Sequence, residues 1–267
     1  DEDIGDGDHS SMACIPPDAK GKAALMVKES GVLAGVEVAI AIFREVEPDI
    51  KIEQFHSDGD VIKPGDIAFT LEGTVWTLLK TERLALNVMQ RMSGIATRTR
   101  QYVDQLKGLR TRILDTRKTT PGMRFLEKEA VKIGGGKNHR FGLFDMIMLK
   151  DNHIDFAGGI EKAILSANNY KNKTGKNLKI EVEVRNMEEL HEVLRVGQVN
   201  RIMLDNFDVP TTREAVALIK GRFETESSGA ITLETIRAYA ETGVDYISVG
   251  ALTHHIKSLD LSLKAID

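Results

Sequence analysis

A positively charged segment near the middle of the chain contains residue types that bind small anions. From Arg117 to Lys150 there are eight Lys or Arg residues and three acidic residues, a local charge of +5, whereas the whole chain of 267 residues carries −4. Cations that converge in one place attract a multiply charged anion strongly. The segment therefore predicts an anion pocket in preference to a solvated basic loop. Its candidate ligands are Arg117, Lys118, His139, Arg140 and Lys150.

Two acidic residues and a Gly/Ser turn complete the set of candidate site residues. Carboxylates at Glu183 and Asp205 are suited to bind ribose hydroxyls, to hold Mg²⁺ beside a phosphate, or to stabilise a developing positive charge. An ion pair with a neighbouring Lys or Arg explains Glu183 equally well. Ser228 and Gly229, followed one strand later by Gly250, offer hydroxyl and backbone N–H groups to a phosphate. The residue types thus indicate an anionic substrate together with a phosphorylated sugar.

A parallel sheet would place these residues together. After Lys107, short apolar segments alternate with stretches of helical periodicity, which is typical of strands joined by right-handed helical crossovers. No Gly-rich fingerprint follows the first strand, which counts against a dinucleotide-binding fold. Polar residues follow one strand after another, so the pattern predicts a barrel whose active site lies at the carboxyl ends of its strands. The predicted strands are Ile113–Leu114, Met146–Leu149, Lys179–Val184, Arg201–Leu204, a weaker one at Phe223, and Tyr246–Val249; the predicted helices are Met123–Ile133, Gly158–Tyr170, Met187–Val196, Pro210–Lys220 and Thr232–Glu241.

The N-terminal third of the chain has the pattern of a small α+β domain. Val36–Val46 has apolar residues at helical spacing, whereas Ile50–Phe55 alternates as a strand does. Thr74–Lys107 is helical in pattern, and Gly94 is expected to divide it into two helices. At the other end of the chain, Ser258–Ile266 is expected to form a closing helix.

Composition excludes several classes of protein. A pI near 6.0 argues against nucleic-acid binding, which needs a basic surface, and no apolar run reaches the roughly 18 residues of a membrane span. The single cysteine, Cys14, excludes an internal disulfide and is expected to be a small buried hydrophobe. The acidic N-terminal residues are unlike a signal or transit peptide. We expect no nucleic-acid partner, no membrane, and a cytoplasmic location, or a plastid location if a transit peptide precedes residue 1.

The candidate residues lie in motifs that resemble those of the quinolinate phosphoribosyltransferase family, also called nicotinate-nucleotide pyrophosphorylases (carboxylating). The resemblance covers nearly the whole chain, and the motifs follow one another in the family's order, which makes it specific. The motifs are Glu2–Asp8, Glu82–Arg83, Leu86–Asn87, Ser93–Thr97, Asp115–Thr119, Gly134–Gly136, Asn138–Arg140, Lys150–His153, Glu181–Val184, Leu204–Asn206, Ser228–Gly229 and Ser248–Gly250.

The resemblance implies an α/β protein with an N-terminal α/β sandwich domain and an incomplete α/β barrel of six to seven strands, with the active site at the C-terminal rim of the strands. The predicted limits are residues 1–90 for the sandwich domain, 91–252 for the barrel, and 253–267 for a C-terminal segment that returns to the first domain. The resemblance also implies a homodimer or higher homo-oligomer with a shared active site. Arg83 would then reach the neighbouring subunit's site, although Glu82 and Arg83 alone indicate a surface ion pair.

The implied reaction joins quinolinate to 5-phosphoribosyl-1-pyrophosphate and releases pyrophosphate and CO₂, which yields nicotinate mononucleotide for NAD biosynthesis. Mg²⁺ is the implied cofactor, because it neutralises pyrophosphate. The resemblance implies a catalytic set of Lys118, Lys150, Glu183 and Asp205, with the last two as Mg²⁺ ligands. It implies that quinolinate is bound by Arg83, Arg117, His139 and Arg140, the phosphate groups by Lys118 and Lys150, the ribose by Glu183 and Asp205, and the 5-phosphate by Ser228, Gly229 and Gly250.

Three departures from the family pattern affect these expectations. The sequence begins where the family's first helix should be ending, so part of that helix is expected to be missing. Ala230 stands where a glycine is common, which requires a negative φ at this position. The segment between Asp205 and Ser228 is short, which makes the strand at Phe223 the least certain of the six.

His153, within one of the motifs, is expected to be a structural hydrogen bonder in preference to a catalytic base.

Three alternative functions stay open on the residues alone. The first is a related transferase that uses nicotinate without decarboxylation. Four side chains are candidates to bind carboxylates, which suits a diacid; a monoacid such as nicotinate would leave some of these cations unpaired. A catalytically inactive relative is opposed by the retention of every acid and base at the predicted rim. An unrelated phosphate-binding isomerase or aldolase would need a Schiff-base lysine within a strand or a poised base, and Lys150 is the only residue that comes near to this requirement.

Overall fold

The computed structural model describes residues 3–267 of the chain. Asp1 and Glu2, which open the acidic N-terminal segment and the first family motif, lie outside the described residues. The described chain divides into two compact units: unit 1 comprises residues 3–100, 125–135 and 255–267, and unit 2 comprises residues 101–124 and 136–254. The domain limits expected from the sequence stay a prediction.

The described chain forms twelve strands and ten helices. The first eight elements are α1 (His9–Cys14), β1 (Lys20–Val27), β2 (Gly31–Val32), α2 (Val36–Val46), β3 (Lys51–Gln54), β4 (Val61–Ile62), β5 (Ile67–Thr74) and α3 (Val75–Gln105). The remaining elements are β6 (Arg112–Leu114), α4 (Arg124–Ile133), β7 (Met146–Leu149), α5 (Asp151–Ala157), α6 (Ile160–Thr174), β8 (Lys179–Val184), α7 (Met187–Val196), β9 (Arg201–Asp205), α8 (Val209–Ile219), β10 (Glu224–Ser228), α9 (Ile236–Ala240), β11 (Tyr246–Ser248), α10 (Ala251–His254) and β12 (Leu261–Ile266).

Unit 1 is built on an antiparallel sheet of four strands in the order β12-β1-β5-β3. Helices α2 and α3 contribute buried apolar side chains to the same core as the sheet. Within that core, the ring of Phe43 on α2 meets the ring of Phe69 on β5 edge to face, with centroids 6.4 Å apart. A helix that is apolar on one side and a sheet that is apolar on one face bury their apolar surfaces against each other, which explains the sandwich.

Unit 2 is built on a parallel sheet of six strands in the order β6-β11-β10-β9-β8-β7. The two outer strands, β6 and β7, are not hydrogen-bonded to each other among the described residues, so the sheet is an open barrel. All six strands predicted from the sequence are present, including the weak one, which begins one residue after Phe223. The predicted incomplete α/β barrel is confirmed.

The two faces of this parallel sheet differ in polarity. Apolar residues of β8 and β9 pack against α6, α7 and α8 in a common core. Because side chains alternate along a strand, the opposite face of the same strands carries charged residues. Register aligns Glu181 with Arg201 and Arg201 with Glu224 across three neighbouring strands. The interior of this barrel is therefore polar, unlike the layers of branched apolar side chains common in barrels.

Two elements of unit 1 differ from the sequence predictions. Gly94 does not divide the helical stretch, because α3 continues through it, and a Cβ atom at residue 94 would overlap the carbonyl oxygen of Lys257. This glycine therefore permits a close backbone approach instead of a break. The predicted C-terminal helix is wrong as well: Leu261–Ile266 is strand β12, which pairs antiparallel with β1. Alternating leucines at 259, 261 and 263 are buried, and they were the signal for a strand.

Smaller differences concern local structure. Cys14, which was expected to be buried, is exposed in the N-terminal helix α1. Helix α5 was not predicted, and it begins immediately after Lys150. Every helix within residues 3–267 is too short or too polar to cross a lipid bilayer.

We predict that Gly94→Ala destabilises unit 1. Alanine would favour the helix by about 1 kcal/mol relative to glycine, but overlap with a backbone carbonyl costs roughly 1–3 kcal/mol. We expect the overlap to dominate and the free energy of unfolding to fall by about 1–2 kcal/mol. Urea unfolding followed by the fluorescence of Trp76, the single tryptophan of the chain, measures this change in α3. Lys80→Ala, at an exposed position of α3, is the control and should change stability by less than about 0.5 kcal/mol. A gain in stability for Gly94→Ala would contradict the close approach of residue 257.

Candidate active site

Ten of the eleven predicted site residues lie in unit 2, and eight of those ten lie at or near the carboxyl end of a strand. Arg83 lies in unit 1, where it is exposed on α3 and, among the described residues, forms no ion pair with Glu82; the expected surface ion pair is therefore wrong. The other ten are Arg117 and Lys118 after β6, His139 and Arg140 between α4 and β7, Lys150 after β7, Glu183 in β8, Asp205 at the end of β9, Ser228 and Gly229 at the end of β10, and Gly250 after β11.

An ion pair joins the exits of β7 and β8. The Lys150 amine lies 2.5 Å from Oε2 of Glu183, whose side chain is buried. Lys150 also begins α5, and its backbone N–H donates to Nδ1 of His153 over 3.1 Å. His153 is therefore a structural hydrogen bonder, as expected. The ion pair and the helix start together orient the Lys150 amine toward the interior face of β8.

A second polar group joins the exits of β9 and β10. The Ser228 hydroxyl donates to Oδ1 of Asp205 over 2.7 Å, and the Asn206 side-chain amide donates to Oδ2 over 2.8 Å. The Asn206 backbone N–H donates to the Ser228 carbonyl over 2.9 Å. Gly229 has φ +96°, and a Cβ atom there would overlap the Asn206 side chain. A glycine is required at this position on both grounds.

Lys118 and Gly250 also lie together, at the exits of β6 and β11. The Thr253 hydroxyl donates to the Lys118 carbonyl over 2.8 Å, which ties the β6 exit to α10. A Cβ atom at residue 250 would lie 3.1 Å from Cδ of Lys118 and 2.8 Å from Nε2 of His254. The missing side chain at Gly250 thus makes room for Lys118. The structure brings six of the predicted site residues together in three pairs: Lys150 with Glu183, Asp205 with Ser228, and Lys118 with Gly250.

Two arginines form the most positive part of the site. Burial of the Arg140 guanidinium and the neighbouring positive charge of Arg117 lower the pKa of Arg140 from its usual value. Arg140 Nη1 also donates to the Met146 carbonyl over 3.3 Å, whereas Arg117 is exposed. Because like charges that lie close together repel, a bound anion would offset the repulsion between these two side chains.

His139 is held from both sides of its ring. Its Nε2 lies 2.9 Å from Oε2 of Glu181 and 3.5 Å from Oε2 of Glu226, and both acids are fully buried. Burial by itself lowers the pKa of His139, but the two carboxylates outweigh it and raise that pKa to about 9. The Arg140 backbone N–H donates to Nδ1 over 2.7 Å, which opposes a proton on that nitrogen. While this hydrogen bond is made, Nδ1 carries no proton and the ring is neutral, with its proton on Nε2; the charged ring that the two carboxylates favour would have to break this bond.

The pKa values of the two acids below His139 are shifted in opposite directions. Burial and the charge of Glu226 raise the pKa of Glu181. Burial also acts to raise the pKa of Glu226, but His139 and the Arg201 guanidinium outweigh it and lower that pKa. Arg201 Nη1 donates to Oε2 of Glu226 over 2.8 Å. The four buried side chains therefore compensate one another's charge.

Two sets of residues have oxygen or nitrogen atoms suited to a metal. The described part of the chain contains a group of three side chains, His139, Glu181 and Glu226, whose ligand atoms lie within 4.8 Å of one another. Arg201 already neutralises Glu226, so this group has less need of a cation. The predicted Mg²⁺ ligands, Glu183 and Asp205, offer carboxylate oxygens beside the phosphate-binding candidates, and such oxygens suit Mg²⁺.

Glu181, Glu226 and Arg201 were not among the site residues predicted from the sequence. A signal was available, since Lys179–Val184 alternates charged and apolar residues although both faces of a parallel sheet are covered. The alternation places Glu181 on the same face as Glu183. No local pattern shows that Glu181 and Glu226 meet at His139, because His139 is about forty residues from Glu181 in sequence and further still from Glu226.

The turn after β10 corrects two expectations. Ala230 has φ +47°, so the negative φ expected there is wrong. The following helix, α9, begins at Ile236 instead of Thr232, which places its N-terminus further from Ser228 than predicted. A non-glycine residue in the left-handed region costs about 1–2 kcal/mol.

We predict that Ala230→Gly stabilises the protein. Removal of the left-handed strain should outweigh the greater freedom of glycine in the unfolded chain, with a net gain of about 0.5–1 kcal/mol. Urea unfolding followed by circular dichroism measures this gain. Ala238→Gly makes the same change at an exposed position inside α9, where it should instead cost up to about 1 kcal/mol. Equal losses in the two variants would contradict the positive φ at residue 230.

Two family models match most of the chain between them. The model described as "Quinolinate phosphoribosyl transferase, N-terminal domain" matches residues 8–93. The model described as "Quinolinate phosphoribosyl transferase, C-terminal domain" matches residues 95–264.

Similar proteins are found among plants and bacteria. The chain is 47% identical over 278 residues to quinolinate phosphoribosyltransferase (decarboxylating) 2, mitochondrial, of Nicotiana glauca, with 98% of this chain and 79% of that protein covered. It is 48% identical over 278 residues to the chloroplastic nicotinate-nucleotide pyrophosphorylase (carboxylating) of Oryza sativa subsp. japonica, with 98% and 74% covered. The crystal structure of NadC from Streptococcus pyogenes superposes with a TM-score of 0.93 at 41% identity, covering 100% of this chain and 94% of that one.

Proposed function

The chain belongs to the quinolinate phosphoribosyl transferase family, and from this premise we propose that it transfers the phosphoribosyl group of 5-phosphoribosyl-1-pyrophosphate to quinolinate with decarboxylation. The products are nicotinate mononucleotide, pyrophosphate and CO₂, a step of NAD biosynthesis. The observation that most supports this reaction is the pairing at the strand ends, where Lys150 meets Glu183 and Ser228 meets Asp205. Cations and acids side by side suit a substrate that carries phosphates and becomes positive at its sugar carbon.

Quinolinate, a dianion, needs several cations. Arg117 and Arg140 lie close enough to repel each other, and the planar guanidinium group donates two parallel hydrogen bonds to a carboxylate. His139 and, from a neighbouring subunit, Arg83 complete the proposed quinolinate set. A monoacid such as nicotinate would leave part of this positive charge unpaired, which favours the diacid.

Transfer requires the bond between ribose C1 and the pyrophosphate oxygen to break. The electron pair leaves with pyrophosphate, and C1 gains oxocarbenium character that nearby carboxylates stabilise. Glu183 and Asp205 would supply that negative charge, while Lys118 and Lys150 would bind the phosphate oxygens. The quinolinate nitrogen then forms the new bond to C1.

The 5-phosphate and the metal would occupy neighbouring positions. Ser228, Gly229 and Gly250 offer hydroxyl and backbone N–H groups to the 5-phosphate. Glu183 and Asp205 would hold Mg²⁺ together with phosphate oxygens, a donor set of hard oxygen atoms that fits this ion. When bound, Mg²⁺ neutralises the charge of the departing pyrophosphate.

Decarboxylation follows from the new bond. Once the ring nitrogen is bonded to C1, it is cationic. The adjacent carboxylate leaves as CO₂, the electron pair of the broken bond stays on the ring carbon, and the neighbouring positive nitrogen stabilises that carbanion until it takes up a proton. Arg117 and Arg140 would keep the ring in position through its remaining carboxylate.

We also propose a plastid location as an alternative to the cytoplasm. The rice relative is named as a chloroplastic protein and the Nicotiana glauca relative as a mitochondrial one. Fractionation of source cells with an antibody to this chain distinguishes the compartments.

The proposed reaction predicts release of CO₂ from carboxyl-labelled quinolinate that depends on 5-phosphoribosyl-1-pyrophosphate and Mg²⁺. Replacing Lys150 with Met should lower kcat/KM by about 100-fold or more, because it removes a cation that stabilises the transition state. Lys179→Met, the same change at the opposite end of β8, should retain activity. A folded wild-type protein that neither binds quinolinate nor releases CO₂ would refute the assignment.

A shared active site in a homodimer predicts complementation between two inactive variants. Arg83→Ala and Arg117→Ala should each be inactive alone. In a mixed dimer, one of the two sites receives both arginines, so random mixing should restore about a quarter of the wild-type activity. Tagged copies purified in tandem verify the mixed dimers. Continued inactivity of verified mixed dimers would mean that Arg83 does not act across the interface.

A further inference from the structure

Buried charges below the rim have no role in the proposed reaction so far. Glu181 and Glu226 are fully buried, and Arg201 is nearly so. Buried ion pairs are weak sources of stability, because desolvation costs several kcal/mol per ion and can exceed the attraction between the charges. Their position beneath the anion site therefore suggests a function in that site.

These residues form a fixed base beneath His139. Arg201 donates to Glu226 over 2.8 Å and to Glu224 over 3.1 and 3.2 Å, and its guanidinium stacks 4.2 Å from the centre of the Tyr246 ring. Arg201 is thus held in place on three sides, and it holds Glu226 in turn. Glu181 and Glu226 together face the single nitrogen Nε2 of His139.

The His139 ring connects these buried residues to the residues at the rim. Its Nδ1 accepts the backbone N–H of Arg140 over 2.7 Å, and its own backbone N–H donates to Oδ1 of the buried Asp115 over 2.8 Å. A short parallel bridge between Leu114 and Lys137 attaches the same segment to the end of β6. The orientation of the ring therefore helps to set the backbone from which the Arg140 side chain extends.

We propose that Glu181 is a positioning residue that holds the His139 ring, and through it the Arg140 backbone, in the geometry that binds the dicarboxylate. The inference rests on the proposed function. Without the Glu181 charge, Nε2 loses the nearer of the two carboxylates that face it, and the hydrogen bond between the ring and the Arg140 backbone weakens. The loss then falls on quinolinate binding instead of on the sugar phosphate, because Arg140 is a candidate quinolinate ligand, whereas Glu183, the candidate ribose ligand on the same strand, is held by its own ion pair with Lys150.

Glu181→Gln tests the proposal, because it preserves the size of the side chain and removes its charge. We expect the KM and the calorimetric Kd for quinolinate to rise about tenfold, as is usual when a supporting partner of a site residue is removed. The kcat and the KM for 5-phosphoribosyl-1-pyrophosphate should change by less than about twofold. Glu224→Gln is the matched control: Glu224 also binds Arg201, but no ion pair joins it to His139 in the described residues, and quinolinate binding should not change.

A double-mutant cycle separates action through His139 from a general effect on the fold. If Glu181 acts through the ring, Glu181→Gln should add less than about twofold to the KM of a His139→Gln protein. The proposal would be overturned if the effects of the two substitutions on the quinolinate KM were fully additive. It would also be overturned if Glu181→Gln lowered kcat and raised both KM values by equal factors. If Glu181→Gln does not fold by circular dichroism, Glu181→Asp replaces it, since it keeps the charge but withdraws it from the ring. The same selective rise in quinolinate KM is expected there, and its absence would also overturn the proposal.

The wild-type protein distinguishes this inference from the proposed function. If the wild type releases no CO₂ and binds no quinolinate, the proposed function fails first. If the wild type is active and the Glu181 variant that folds binds quinolinate normally, only the positioning role of Glu181 is wrong.

Discussion

The alternation of side chains along β8, β9 and β10 is the constraint on which unit 2 depends. Strands β8 and β9 turn apolar residues toward the covering helices, and all three strands turn charged residues toward the barrel interior. Charges placed there cost several kcal/mol each unless they are paired. Register provides the pairing, because it sets Arg201 between Glu181 and Glu224 on neighbouring strands. The polar interior is stable as a set of compensating charges, in which Arg201 pairs with both Glu224 and Glu226.

The candidate active site continues the same arrangement at the strand ends. Glu183 lies two residues beyond Glu181 on β8, and Asp205 lies four residues beyond Arg201 on β9, both on the interior face. Lys150 contacts Glu183 there, and Ser228 contacts Asp205. Groups that are already oriented by a partner need little reorganisation when a charged substrate binds, and such preorganisation is a main source of electrostatic catalysis. The buried layer around His139 would serve as the support for this upper layer.

Unit 1 depends on close backbone approach to α3 instead of on charge. Three segments meet this helix at glycines: Gly31 lies against Thr97, Gly134 against Ala96 and Thr99, and Gly94 against the backbone of residue 257. A Cβ atom at any of these glycines would overlap its neighbour. Segments that are far apart in sequence, including the C-terminal strand, can assemble into one unit because these positions lack side chains.

Much of the fold and part of the site could be predicted from the sequence. Five of the six strands of unit 2 were visible as short apolar runs, and polar residues after each run indicated the rim, because both signals are local; the sixth, β10, has no apolar residue and was indicated only by Phe223 beside it. Strand register and tertiary contacts decided the rest. The sequence could not show that the Lys257 carbonyl lies against Gly94 or that Leu261–Ile266 pairs with β1. Nor could it show that Ala230 has a positive φ, or that Glu181 and Glu226 meet at His139. Each of these depends on a partner or a backbone geometry distant in sequence, and the energy of such contacts is fixed only when the chain is folded.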